Sequence, residues 1–110
     1  MTVAVLLVLD VGTSSFKASL YDTSGRLLAQ EAVGYTCHSP KPGWAEQNPQ
    51  DWWEACCAVC RKISQHSKFH LLAICVSGQA PGCVPLNAAG KPLRPAILWL
   101  DRRSTPQVEW

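Results

Sequence analysis

The chain has 110 residues, 47% hydrophobic and 16% charged, the size and composition of one ordinary folded domain rather than of a disordered segment. Its formal net charge of +2, with basic residues only in isolated pairs such as Arg61-Lys62 and Arg102-Arg103, argues against a nucleic-acid surface. Six cysteines include only one C-x-x-C spacing, Cys57 to Cys60, so reduced cysteines packed as small hydrophobes are expected rather than zinc ligands or disulfides.

The opening "MTVAVLLVLD" lacks the basic start and cleavage site of a secretion signal, and Asp10 ends it far short of a membrane span. Val3 to Leu9 is therefore expected to be a strand buried on both faces, and the cytoplasm is the expected compartment. Phe16 to Tyr21 alternates, with Phe16, Ala18 and Leu20 on one side and Lys17, Ser19 and Tyr21 on the other, the period of a strand. "DTSG", ending at Gly25, predicts a hairpin turn with a glycine at positive φ. Arg26 to Thr36 then carries a third strand, which completes an antiparallel meander.

"HSPKPGWAEQNPQ" reads as a loop that leads into a helix. Asn48 suits the N-cap and Pro49 the first helical position. Trp52, Cys56, Val59 and Ile63 recur at helical spacing as the expected buried stripe, and Asp51, Glu54, Arg61 and Lys62 are placed to suit the helix dipole. Trp52 and Trp53 are adjacent and cannot share a face, so one is expected in the core and the other at a domain contact. His70 to Val76 predicts a further buried strand, broken by "SGQAPG". "CVPLN", the turn "AAGK" and "PAILW" add short extended pieces, and "DRRSTPQVEW" opens another element. If the first strand runs parallel to the strand after the helix, the result is a mixed sheet with the helix packed on it.

The tip between the first two strands carries the chemistry. Gly12 allows close backbone approach, and Thr13, Ser14 and Ser15 add hydroxyls to the turn's N–H groups, a combination suited to an anion. Asp10 beside such a nest would repel a phosphate unless a cation lay between them, which points to Mg²⁺ and a nucleotide. On these residues alone, a polar tip with Asp10 capping its own turn explains the pattern as well. There is no P-loop and no dinucleotide fingerprint. His38, His66 and His70 lack the context of a catalytic triad; His66 near a helix end reads as structural, and His70 as a surface or cap residue. Among Trp44, Trp52, Trp53, Trp99 and Trp110, Trp99 is the best candidate for a sugar-stacking wall, because Asp101 and Arg103 beside it could bond hydroxyls. A surface ion pair between those two is the plainer reading.

Three segments in order resemble the FGGY carbohydrate kinases. "LDVGTSSFKASLYD" is similar to the first phosphate motif of the actin, Hsp70 and sugar kinase superfamily. "GWAEQNPQDWWEAC" and "SGQAPGCVPLNAAGKPLRPAILWLDRRS" resemble segments of the carbohydrate kinases alone. The resemblance implies an α/β, ribonuclease H-like mixed sheet with a packed helix. It covers only the opening part of the family's N-terminal domain, so 1–110 would be an incomplete domain without the C-terminal one. It further implies ATP and Mg²⁺ as cofactors. Asp10 would help position the metal, and Gly12, Thr13, Ser14, Ser15 and Lys17 would lie against the phosphates. Gln79, Ala80, Pro81, Trp99, Asp101 and Arg103 would line the side of a sugar or polyol.

This chain reads Gly78-Gln79-Ala80-Pro81-Gly82 where the family's xylulose kinases read Gly-Gln-Met-His-Gly, and Leu100 stands where they favour Asn, so the sugar is left open. The family's general base is an aspartate far downstream, and the second phosphate motif and adenosine site lie further on. The missing remainder of the kinase chain is therefore an expected partner, and the 110 residues alone are expected to be inactive. Two other readings stay open: a stand-alone, non-catalytic module that binds sugar or a partner, and a truncated product without function.

Overall fold

The computed structural model describes residues 2–109, so Trp110 lies outside the described residues. Strands β1 (Val3–Val11), β2 (Ser15–Asp22) and β3 (Leu27–Gly34) form the meander. A two-residue strand β4 (Glu46–Gln47) precedes helix α1 (Pro49–Ile63). Strand β5 (Phe69–Gly78), a short β6 (Ala96–Ile97) and one helical turn α2 (Thr105–Val108) follow. The main sheet has the order β3-β2-β1-β5. Its β1–β2 and β2–β3 pairs are antiparallel and its β1–β5 pair is parallel, the mixed sheet that the element order predicts.

The turn and cap chemistry follows from local sequence. Gly25 closes the β2–β3 turn at φ 86°, and the Asp22 carboxylate accepts from the Ser24 and Arg26 amides. The Asn48 side chain caps α1 by accepting from the Gln50 amide at 3.0 Å, with Pro49 in the first turn. In the later hairpin Asn87 accepts from the Ala89 and Lys91 amides, and Gly90 takes φ 76°.

Helix α1 packs on β2 and β3, and the same face of β1 joins the core. Val5, Leu7, Leu9, Phe16, Ala18 and Leu20 of the sheet bury against Ala55, Val59 and Ile63 of the helix. Each large apolar side chain so buried contributes on the order of 1.5–3 kcal/mol. The helix stripe thus differs from the expected one. Ala55, 3% exposed, is buried in the core. Trp52 turns instead to a second cluster with Ala45, Ala96 and Leu98, and Cys56 lies at the rim of the first. Trp53 is exposed, while Trp52 is half-buried.

The two strands expected to be buried, the first of them on both faces, are covered less than expected. In β1, Val5, Leu7 and Leu9 face the helix, but Leu6 on the other face is 39% exposed. Strand β5 is exposed from His70 to Gly78, with Ile74 at 56% and Val76 at 65%. The reason is the helix's position: α1 packs on one face of the sheet, centred on β2 and β3, so it leaves the opposite face of β1 and the edge strand β5 without its cover.

The cysteines also depart from expectation. All six are free, but Cys37, Cys75 and Cys83 are exposed and only Cys56, Cys57 and Cys60 are half-buried. Burial, followed by the neighbouring Cys60 and Cys57, pushes the Cys56 thiol up to about 11, so it stays protonated and packs as a small hydrophobe.

Candidate functional site

The β1–β2 tip is built from Gly12, Thr13 and Ser14, with Ser15 starting β2. The Gly12 N–H donates to the Ser15 carbonyl at 3.0 Å, which closes the turn. Gly12 is needed for close approach and not for positive φ: a Cβ there would sit 2.8 Å from the Ser15 carbonyl oxygen. The Tyr35 hydroxyl donates to the Gly12 carbonyl, and the Tyr35 amide donates to the Ser14 carbonyl at 3.2 Å. Burial, helped by the negative charge of Asp10, pushes the Tyr35 phenol up to about 12, so it remains a donor through the physiological range.

Asp10 lies one residue before the end of β1, opposite Lys17 of β2 and Ser77 of β5 in register. In the alternation of β1 it falls on the sheet face away from α1. Its carboxylate accepts no hydrogen bond and joins no ion pair among the described residues. One unengaged carboxylate beside a turn suited to phosphate fits the way Mg²⁺ is commonly held, by one or two carboxylates together with substrate phosphates. Among the described residues no cluster of three metal-ligating side chains exists, so any ion here would depend on the phosphate for its remaining ligands.

Three separate segments converge on this tip. After β5, the Gln79 amide donates to the Val11 carbonyl at 2.8 Å, and its side-chain amide reaches the Gly12 carbonyl at 3.3 Å. From the segment before α1, Gln47 donates to the Thr13 carbonyl at 2.6 Å. From the segment after β6, the Trp99 indole N–H donates to Thr13 Oγ1 at 3.0 Å. A hydroxyl that accepts in this way keeps its own hydrogen free to donate.

Beside the tip, Pro81, Cys83, Ile97, Trp99, Asp101 and Arg103 line a cavity of about 380 Å³. That lies within the roughly 300–1,000 Å³ of small-molecule sites. Asp101 is no free hydroxyl partner. One carboxylate oxygen accepts from the Ala45 amide and from Arg103 Nη2, each at 2.7 Å. The other accepts from the Arg103 amide at 2.9 Å and from Nε at 2.8 Å. The side chain is 2% exposed. These bonds, those from Arg103 foremost, hold the Asp101 carboxyl well below the usual carboxylate range. Arg103 also donates to Glu46 at 2.8 Å and stacks over the Trp44 ring at 3.7 Å, and Arg94 joins the same Glu46 oxygen. Two carboxylates and two guanidiniums thus neutralise each other beneath the cavity. Nη1 of Arg103 and Oε1 of Gln79 are buried without a partner among the described residues.

Of the residues singled out in the sequence, Gln79 and Trp99 meet the tip directly, and Pro81, Asp101 and Arg103 line the cavity with Trp99. Ala80 and Ser14 are exposed, and Ala80 precedes a cis peptide bond to Pro81. Lys17 is exposed on β2. Glu46, Gln47, Tyr35 and Trp44 are the structural partners that sequence reasoning missed. Glu46 and Gln47 stand in a stretch that reads as loop, and only pairing with Ala96–Ile97, far along the chain, makes them a buried strand. His66 meets Glu31 at 2.7 Å, the structural role expected of it.

The model of the FGGY family of carbohydrate kinases, N-terminal domain, matches residues 5–110. This chain belongs to the FGGY carbohydrate kinases. A xylulose kinase of Staphylococcus xylosus is 36% identical over 107 residues, 96% of this chain and 22% of that protein. A glycerol kinase of Trichormus variabilis is 34% identical over 105 residues, 92% of this chain and 21% of that protein. The crystal structure of a gluconate kinase from Lactobacillus acidophilus superposes with a TM-score of 0.93 at 27% identity, over 98% of this chain and 22% of that one. The FGGY chain described here therefore spans about a fifth of the length of the curated relatives it matches. Its mixed sheet and packed helix are the opening part of the actin/Hsp70-like, ribonuclease H-type fold of these kinases.

Proposed function

We propose that this chain is the phosphate tip and part of the sugar wall of an ATP-dependent carbohydrate kinase. In this reading the whole enzyme transfers the γ-phosphoryl group of ATP to a hydroxyl of a sugar or polyol. The observation that carries it is the Trp99–Thr13 hydrogen bond at 3.0 Å, because it joins the segment that lines the cavity to the turn suited to phosphate. Family membership supports the reaction class, and the xylulose, glycerol and gluconate kinases among its relatives support a small polyhydroxylated substrate.

The chain's residues divide the work as follows. Thr13, Ser14 and Ser15 offer hydroxyl donors to phosphate oxygens at the tip, and Gly12 keeps the backbone close enough for them to converge. Asp10 would hold Mg²⁺, which neutralises charge on the transferring phosphoryl group when bound. Lys17, cross-strand from Asp10, adds a positive charge on the same face of the sheet. Trp99 stacks on an apolar sugar face, while Gln79, Ala80 and Pro81 shape the adjoining wall. Asp101 and Arg103, bonded to one another, hold that wall in place.

We assign the role of general base to an aspartate in the remainder of the kinase chain. Residues 1–110 then form the N-terminal part of the family's N-terminal domain. Positioning and charge stabilisation come from all the parts together, so the chain alone should be inert. Incubated with ATP, Mg²⁺ and D-xylulose, glycerol or gluconate, it should release no ADP above background. Joined to the rest of a continuing reading frame, it should release ADP only with a sugar present. Sugar-dependent turnover by the 110 residues alone would overturn the assignment of essential parts elsewhere. A frame that ends at Trp110 with no remainder, in a chain that still binds sugar, would favour a non-catalytic module.

A further inference from the structure

Gln47 is 0% exposed and lies outside every segment that the reading above assigns to phosphate or sugar. We infer that Gln47 is a positioning residue that sets the register between the phosphate tip and the sugar-side Gly-Gln segment. The inference rests on the proposed kinase reading for its functional meaning, and on geometry alone for the linkage itself.

The Gln47 side chain uses both ends of its amide. Nε2 donates to the Thr13 carbonyl at 2.6 Å. Oε1 accepts from the Trp52 indole at 2.9 Å and from Gln79 Nε2 at 3.0 Å. These partners fix which way the amide points, because an indole N–H can only donate and a carbonyl can only accept. Gln79 in turn reaches the Gly12 carbonyl at 3.3 Å. The tip carbonyls of Gly12 and Thr13, the helix residue Trp52 and the sugar-side Gln79 therefore form one partly buried chain of hydrogen bonds with the fully buried Gln47 at its centre. The alternative to keeping such a network whole is to leave buried polar groups unpaired, so its geometry tolerates little variation. A shift of the Gly-Gln segment cannot occur without moving the tip.

Two substitutions separate this role from plain packing. Gln47→Met removes every bond at near-constant volume. Gln47→Glu keeps the acceptor for Trp52 and Gln79 but loses the donor to Thr13. The readout is amide hydrogen exchange in the 110-residue chain without ligand, followed residue by residue by NMR, together with the Trp52 indole and the Gln79 side-chain amide. Gln47→Met should speed exchange at least tenfold at both the tip and Gln79, beyond any change in the β2 and β3 core amides. Gln47→Glu should do so at the tip only.

A second arm adds Mg²⁺ and inorganic tripolyphosphate. In the parent chain the resonances of Thr13, Ser14 and Gln79 should shift together, and in Gln47→Met those of Thr13 and Ser14 should still shift while Gln79 stays put. Equal acceleration everywhere, or identical patterns for the two variants, overturns the positioning role. No tripolyphosphate response in the parent chain, with the exchange pattern intact, overturns the assignment of phosphate to the tip and leaves the linkage standing.

Discussion

Replacing Asp101 by Asn keeps its shape but removes the charge that anchors the loop carrying Trp99. The carboxylate accepts four hydrogen bonds, from the amides of Ala45 and Arg103 and from Nε and Nη2 of Arg103, all between 2.7 and 2.9 Å. The pair is only partly buried and Arg103 keeps Glu46 as a partner, so the loss is that of hydrogen bonds to a charged group at the low end of its range, about 1.5 kcal/mol. At roughly 1.36 kcal/mol per tenfold, that is a loss of about tenfold in the protection of the Ala45 and Arg103 amides against hydrogen exchange at pH 7. The same carboxyl is held well below its ordinary value in the folded chain. Its contribution is therefore complete above the unfolded value of 3.8 and fades as pH falls through the lower folded value. The gap between parent and Asp101→Asn should narrow progressively below pH 4. A difference of less than threefold at pH 7, or a gap that persists undiminished to the lowest pH at which the parent stays folded, would refute the reasoning.

Gly12→Ala should distort the tip, because the new Cβ meets the Ser15 carbonyl oxygen at 2.8 Å. We expect a destabilisation of about 1–3 kcal/mol, seen as faster exchange at Gly12 to Ser15, together with loss of any tripolyphosphate response. Tyr35→Phe should cost about 1 kcal/mol through the lost bond to the Gly12 carbonyl. Because the folded phenol is raised to about 12 from an ordinary 10, the parent's stability should fall as pH rises between those values, and the Phe variant's should fall less. Strand β5 exposes Leu72, Ile74 and Val76 by half or more, so the chain should bind a hydrophobic dye and self-associate. Ile74→Lys with Val76→Lys should reduce both, measured by dye fluorescence and by light scattering.

The parts of the fold that were legible in the sequence are those set by neighbours along the chain. Period two in Phe16 to Tyr21, the glycine of "DTSG", and the Asn48-Pro49 helix start each act locally, and the structure bears each of them out. Burial of β5 was misread because an apolar run states only what a strand can bury, and α1 covers the other strands instead. Glu46 and Gln47 were illegible for a related reason. Two polar residues in a proline-rich stretch carry no periodic signal, and their burial is created by Ala96, Ile97 and Arg103 about fifty positions away. Asp101 and Arg103 stood out because of their chemistry. Which of a substrate or each other they would bind depended on the Ala45 amide and Glu46, which only folding brings to them.

The most direct test of the account is a titration of the isotopically labelled chain with ATP, with and without Mg²⁺. The amides of Thr13, Ser14 and Ser15 and the Trp99 indole should shift in a Mg²⁺-dependent, saturable manner, and Asp10→Asn should abolish the Mg²⁺ dependence. Shifts confined to other surfaces, or tip shifts indifferent to both Mg²⁺ and Asp10, would contradict it.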